Sequence, residues 1–227
     1  MPKTTCNLYD CFLCQHCMIE WRPLIGLNKD TRIIRKGKAV FKEGDPVEGI
    51  YFMYRGWVKI HKEWTHPKEL VVRFAGPGDI IGHRGLGDKK NYPVSATALE
   101  DSTVCFVPEE FLETCLRANP TLTYRLMQFY AAELQKAERR MRDLVHMETK
   151  GRIAGALMEM NNKFGTNREG FISMPISRQD IAAYAGTTYE TLFKLFIELK
   201  KDKIISTSGK FVKIKNETKL RQLLNMK

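Results

Sequence analysis

The chain has 227 residues, 43% of them hydrophobic, enough to build one large packed domain or two small ones. Its net charge of +11 calls for an anionic partner, and +7 of it falls in residues 151–227, where fourteen Lys or Arg face seven Asp or Glu. No apolar run approaches the ~20 residues of a membrane helix and the polar N-terminus lacks an apolar signal segment, so a cytoplasmic chain with reduced thiols and no membrane partner is expected.

Residues 1–27 hold Cys6, Cys11, Cys14 and Cys17, spaced C-x4-C-x2-C-x2-C. The inner C-x2-C-x2-C run is also how a bacterial iron–sulfur motif begins. The usual next cysteine is replaced by Trp21, so a fourth ligand must come from Cys6 or from a distant residue. Zinc held by the four thiols, with His16 as a further donor, is the alternative. The plain reading is a tail of free thiols.

Residues 28–118 read as short strands. Apolar stretches at Ile50–Tyr54, Trp57–Ile60 and Leu70–Phe74 are punctuated by Gly37, Gly44-Asp45, Gly56 and Gly76-Pro77-Gly78-Asp79, the pattern of a small sandwich or barrel. Residues 119–148 predict one long helix opened by Pro120. Met127, Tyr130, Leu134, Ala137, Met141 and Leu144 recur at steps of three and four, with Glu133, Lys136, Glu138, Arg139, Arg140 and Arg142 between them. A narrow seam with a charged back suits pairing with a second copy of the chain. Packing on its own β domain is the plain alternative.

Residues 149–227 predict a helix, a strand-like Phe171–Met174, two short helices and a hairpin. Ser177 can cap a helix that ends at Gly186, and Thr187-Thr188-Tyr189-Glu190 opens a second one. The second helix has an apolar face of Leu192, Leu195, Phe196 and Leu199. Tyr189, Glu190, Phe193 and Lys194 lie opposite, where a helix-turn-helix meets the major groove. Ile204–Ile214, turning at Ser208-Gly209-Lys210, reads as a β wing. Glu190 has two readings: the carboxylate of a capping box with Thr187, or an acceptor for a cytosine amino group. Lys194 could donate to guanine, or stay a solvated lysine.

The segment Ile176–Ile214 resembles the DNA-binding domain of the Crp–Fnr family of transcription regulators. Lys36–Asp45, Ile50-Tyr51-Phe52, Gly56-Trp57-Val58-Lys59 and Gly78-Asp79-Ile80-Ile81-Gly82 resemble its β-roll. The resemblance implies an α+β chain: a cyclic-nucleotide-binding-like β-roll, a dimerisation helix and a C-terminal winged helix-turn-helix. It implies a homodimer on double-stranded DNA, with half-sites about 34 Å apart and RNA polymerase as a further partner. Glu190 and Lys194 match the family's base-reading glutamate and arginine, and Arg178, Gln179, Thr188 and Tyr189 match positions near phosphates or base edges. Lysine stands where arginine is usual, losing the two-pronged contact, and Phe193 stands where a small residue is usual.

The family's cyclic AMP cassette corresponds here to Gly82-His83-Arg84-Gly85-Leu86 and Val94-Ser95-Ala96. His83 replaces the ribose-binding glutamate and Val94 the phosphate-binding arginine, which argues against cyclic AMP. His83 and Arg84 are then expected in a solvated loop, with a different anion as the alternative. The Fnr branch implies an iron–sulfur cluster held jointly by N-terminal cysteines and one β-roll cysteine. On that resemblance the ligands would be Cys11, Cys14, Cys17 and Cys105, with Cys6 as an alternative, while Cys115 matches nothing. The spacing of the N-terminal run is tighter than in Fnr.

No GxGxxG, Walker loop, H-E-x-x-H or G-x-S-x-G supports an enzyme. The rival is an iron–sulfur or zinc redox protein without a DNA role, for which a helix-turn-helix has no use. A regulator without an effector, whose cysteine tail does nothing, is the other alternative.

Overall fold

The computed structural model describes residues 11–65 and 68–225 and divides into two units at Glu133/Leu134. The first opens with two short helices, α1 (Phe12–His16) and α2 (Arg22–Asn28), joined through a tight turn at Ile19–Trp21. Eight strands follow: β1 (Asp30–Ile34), β2 (Ala39–Phe41), β3 (Gly49–Arg55), β4 (Val58–Thr65), β5 (Lys68–Ala75), β6 (Ile80–Ile81), β7 (Ser95–Ala98) and β8 (Ser102–Pro108). They form two antiparallel sheets, ordered β1-β8-β3-β6 and β2-β7-β4-β5. The helices α3 (Glu109–Ala118) and α4 (Pro120–His146) come next.

Successive side chains of a strand point to opposite faces, and this divides the first unit into two cores. On β3, Tyr51 and Met53 join the core between the sheets, with Phe41, Val58, Ile60 and Ala96. Ile50 and Phe52 face the other way, toward Leu13, Ile25, Leu112, Leu122 and Leu126 of the helices. The same parity operates on β8: Val104 and Phe106 point to the inter-sheet core, Cys105 and Val107 to the helical one.

The second unit contains the rest of α4, then α5 (Thr149–Phe164), α6 (Arg178–Ala185), α7 (Tyr189–Lys201), the hairpin β9 (Ile205–Ser208) and β10 (Phe211–Ile214), and α8 (Glu217–Gln222). The predicted strand at Phe171–Met174 does not form. The segment makes a single bridge, Thr166 to Ile172. The reason is local: the Asn167 side-chain carbonyl accepts from the Glu169 and Phe171 amides, both at 3.0 Å, and turns the chain.

Two readings of α4 are corrected. Glu133, expected among solvent-facing charges, is buried, with Leu122 and Leu126 on the same face. Tyr130 leaves the expected seam for the protein interior, where its hydroxyl donates to the His83 carbonyl at 2.5 Å. The large exposed apolar residues of the helix are Tyr124, Met127, Leu134, Met141 and Val145, and Ala137 of the expected seam is exposed as well.

Candidate nucleic-acid interface and thiol cluster

Each helix of the α6–α7 pair starts at a hydroxyl cap. The Ser177 oxygen accepts from the Asp180 amide at 3.0 Å, and the Thr188 oxygen from the Thr191 amide at 3.2 Å. The cap is therefore Thr188 and not Thr187, and Glu190 is the second helical residue. The capping box with Thr187, one of the two readings of Glu190, is out of frame by one residue. The Glu190 carboxylate instead takes hydrogen bonds from its own amide and the Thr188 hydroxyl, which hold it below the ordinary carboxylate range. It is a charged, exposed acceptor.

The turn between the helices depends on Gly186. Its φ of +63° lies in the left-handed region, and a β-carbon there would sit 2.4 Å from Leu144 Cδ2. Two arginines satisfy carbonyls at this turn, where helix ends leave them unpaired. Arg140 lies over the Tyr184 ring at 4.1 Å and donates to the Tyr184 carbonyl at 2.6 Å. Arg152 donates to the Ala185 and Gly186 carbonyls at 3.0 and 3.3 Å. Sequence reasoning counted Arg140 as a surface charge and missed Arg152, because a guanidinium's carbonyl partners have no sequence signature.

On α7, Leu192, Phe196 and Leu199 are buried and Leu195 is half-buried. Thr188, Tyr189, Glu190, Phe193, Lys194 and, on α6, Gln179 are exposed. Arg178 is half-buried. Its guanidinium lies over the Phe196 ring at 4.8 Å and donates to the Gly209 and Lys210 carbonyls at 3.2 and 3.3 Å, which ties the wing turn to α6.

Beneath β3 and β8, five thiols share one apolar cluster: Cys11, Cys14, Cys17, Cys105 and Cys115. Cys11 caps α1, its sulfur accepting from the Cys14 amide at 3.5 Å. Cys17 donates to Asn119 Oδ1 at 3.7 Å, and the Met18 amide donates to the same oxygen at 3.0 Å. Asn119 stands directly before Pro120, so the cysteine segment is bonded to the start of α4. Burial raises the Cys17 thiol and pushes the Cys115 thiol up to about 11, so both are protonated at neutral pH. Donor type, number and burial fit a soft metal or an iron–sulfur cluster. Among the described residues, however, no group of three His, Cys, Asp or Glu is arranged to hold a metal ion. Loading would require the thiols to lose protons and draw together. Cys6 lies outside the described residues.

The segment matched to the cyclic nucleotide cassette is not a solvated loop, which corrects the expectation for His83 and Arg84. His83 is 3% exposed, and the rings of Phe129 and Tyr130 meet it edge-on at 4.9 and 5.5 Å. It lines a cavity of about 10 Å³ with Phe41, Arg73, Arg84, Tyr92 and Val94, the room of one water at most. Desolvation, with the Arg73 and Arg84 cations beside it, pushes the His83 pKa from 6.5 down to about 3. Between those values the unfolded chain binds a proton that the folded chain rejects, so stability falls as pH drops from 6.5 toward 3. At pH 5 this amounts to on the order of 2 kcal/mol. His83→Gln is expected to remove this component, seen as a smaller loss of denaturant midpoint between pH 7.5 and pH 5.

Residues 31–119 match the cyclic nucleotide-binding domain, and residues 151–223 match the Crp-like helix-turn-helix domain. Transcriptional activator protein Anr of Pseudomonas aeruginosa is 28% identical over 229 residues, covering 97% of this chain and 92% of that protein. The fumarate and nitrate reduction regulatory protein of Escherichia coli is 27% identical over 224 residues, covering 94% of this chain and 88% of that one. The structure of FixK2 from Bradyrhizobium japonicum superposes with a TM-score of 0.77 at 26% identity, over 88% of this chain and 98% of its own. A Crp-like reading head carried behind a cyclic nucleotide-binding fold, over nearly the full length of such regulators, makes this chain a member of the Crp–Fnr family of DNA-binding transcription regulators.

Proposed function

We propose that this regulator is a homodimer whose DNA binding is gated at the thiol cluster and not by a cyclic nucleotide. One observation carries the reading. The parity of β8 sends Cys105 into the same buried cluster as Cys11, Cys14 and Cys17, and that cluster is hydrogen-bonded through Asn119 to the start of α4. Cys11, Cys14, Cys17 and Cys105 would hold an iron–sulfur cluster or, alternatively, zinc. Such a group supplies a redox-sensitive or structural tie. The chain's own part is transmission: a shift of the Cys17–Met18 backbone moves Asn119, and α4 begins at the next residue. Against a cyclic nucleotide stand the buried, neutral His83, the apolar Val94 and the narrowness of the cavity between them.

Anaerobically isolated protein is expected to absorb in the visible and to contain iron and sulfide, with Cys14→Ser losing all three features. Air should bleach it and weaken operator binding together. Colourless protein with one zinc per chain would make the metal structural. Colourless, metal-free protein of full affinity would remove the sensor.

At the DNA, Arg178 would hold the wing and face phosphate, Gln179 and Thr188 would meet the backbone, and Tyr189, Glu190 and Lys194 would reach base edges. RNA polymerase is the further partner the family resemblance implies. Glu190→Ala is expected to lose roughly 10-fold or more in discrimination at one base pair of each half-site. Competition binding with singly substituted operators measures it. Unchanged discrimination would confine Glu190 to the helix start.

A further inference from the structure

We infer that Phe193 is a specificity-determining residue that reads the 5-methyl group of a thymine in each operator half-site. The inference rests on the DNA-binding reading of α7 and adds what its middle position recognises. Phe193 is 54% exposed although the inward positions of the helix are filled by Leu192, Phe196 and Leu199. Its ring stacks on that of Tyr189, itself 45% exposed, with centroids 6.2 Å apart and planes at 20°. Two half-exposed aromatic rings, one helical turn apart, make an apolar patch that a helix in water does not need.

Position selects the occupant. Phe193 lies three residues after Glu190 and Lys194 four, so each is a surface neighbour of that carboxylate in the N-terminal half of the helix. The exposed surface there carries a hydrogen-bond acceptor, Glu190, with the Phe193 ring on one side of it and a cationic donor, Lys194, on the other. The positive balance of residues 151–227 favours a nucleic acid over an apolar protein surface. Within the major groove, the feature an aromatic edge can distinguish is the thymine methyl. The stack on Tyr189 holds the ring before binding, so less rotamer freedom is lost on contact.

The experiment starts from a random duplex pool, from which full-length protein selects its operator. Each thymine of that operator is then replaced by deoxyuridine, which removes only the methyl. One thymine per half-site is expected to weaken binding roughly fourfold when demethylated, and about fifteenfold with both half-sites altered. Phe193→Ser should bind the methylated operator that much more weakly and be indifferent to the replacement. Phe193→Leu should keep part of the preference. Unaltered circular dichroism would show that both variants are folded. An operator without a methyl-sensitive thymine would overturn the inference. So would a Phe193→Ser protein that selects the same sequence with the same penalty, and that result would mark the patch as a protein-docking face. DNA binding that enriches no sequence would also overturn it, whereas absence of any DNA binding would remove the reading beneath it.

Discussion

Leu134→Asp is expected to abolish the dimer and operator binding together while leaving the protomer folded. Leu134 is 61% exposed in the single chain, and so are Met127 at 58% and Met141 at 63%, at seven-residue steps along α4. The adjoining face of the helix is already committed to the first unit through Leu122, Leu126 and Glu133. Among the described residues Met127, Leu134 and Met141 are left largely uncovered. In a two-fold dimer each seam residue meets the partner's seam, so the substitution would bring two carboxylates into one apolar interface. Burying an unpaired charge costs several kcal/mol, and dimer dissociation should rise by a factor of about 100 or more. Operator affinity falls with it, because each reading head alone loses the second half-site. Sedimentation and footprinting on one protein preparation test the coupling, and Met141→Lys should behave alike. A Leu134→Asp protein that sediments as a dimer with unchanged affinity would place the interface elsewhere.

Glu133→Ala is expected to destabilise the first unit by about 3 kcal/mol, within the range for breaking a buried ion pair. Arg73 donates to the Glu133 carboxylate at 2.9 Å, and the two side chains are only 13% and 10% exposed. The other terminal nitrogen of the Arg73 guanidinium donates to the Ile80 carbonyl at 2.7 Å, which fixes its direction. Arg84 approaches the same carboxylate at 3.9 Å. Removing the carboxylate leaves the buried Arg73 cation without its partner and with a second cation, Arg84, near the same place. Arg73→Ala should cost a similar amount, and the double variant less than the sum, since neither charge is then left alone. Urea unfolding of the four proteins in the cycle gives the coupling. Additive losses would mean that the pair contributes nothing of its own.

The readable parts of this molecule were those specified by neighbours in the chain. Ser177 as a cap, Gly186 as a left-handed turn, and Leu192, Phe196 and Leu199 at helical spacing are local instructions, so the helix-turn-helix emerged with its wing at Ile205–Ile214. The exposed seam of Met127, Leu134 and Met141 followed from the heptad in the same way. Even there a one-residue ambiguity survived: two adjacent threonines offer equivalent hydroxyls, and it is Thr188 that caps α7. Other features were fixed by contacts between distant segments. Cys115, which resembled nothing, shares a core with four other cysteines because α3 packs beside the N-terminal helices. Cys105 joined them by strand parity, a rule visible in sequence only once β8 has a register and a covered face. Glu133 and His83 looked like surface groups, since polar residues usually face water. Only the tertiary structure could bury them, because their desolvation is offset by Arg73 for the one and by a neutral imidazole among aromatic rings for the other.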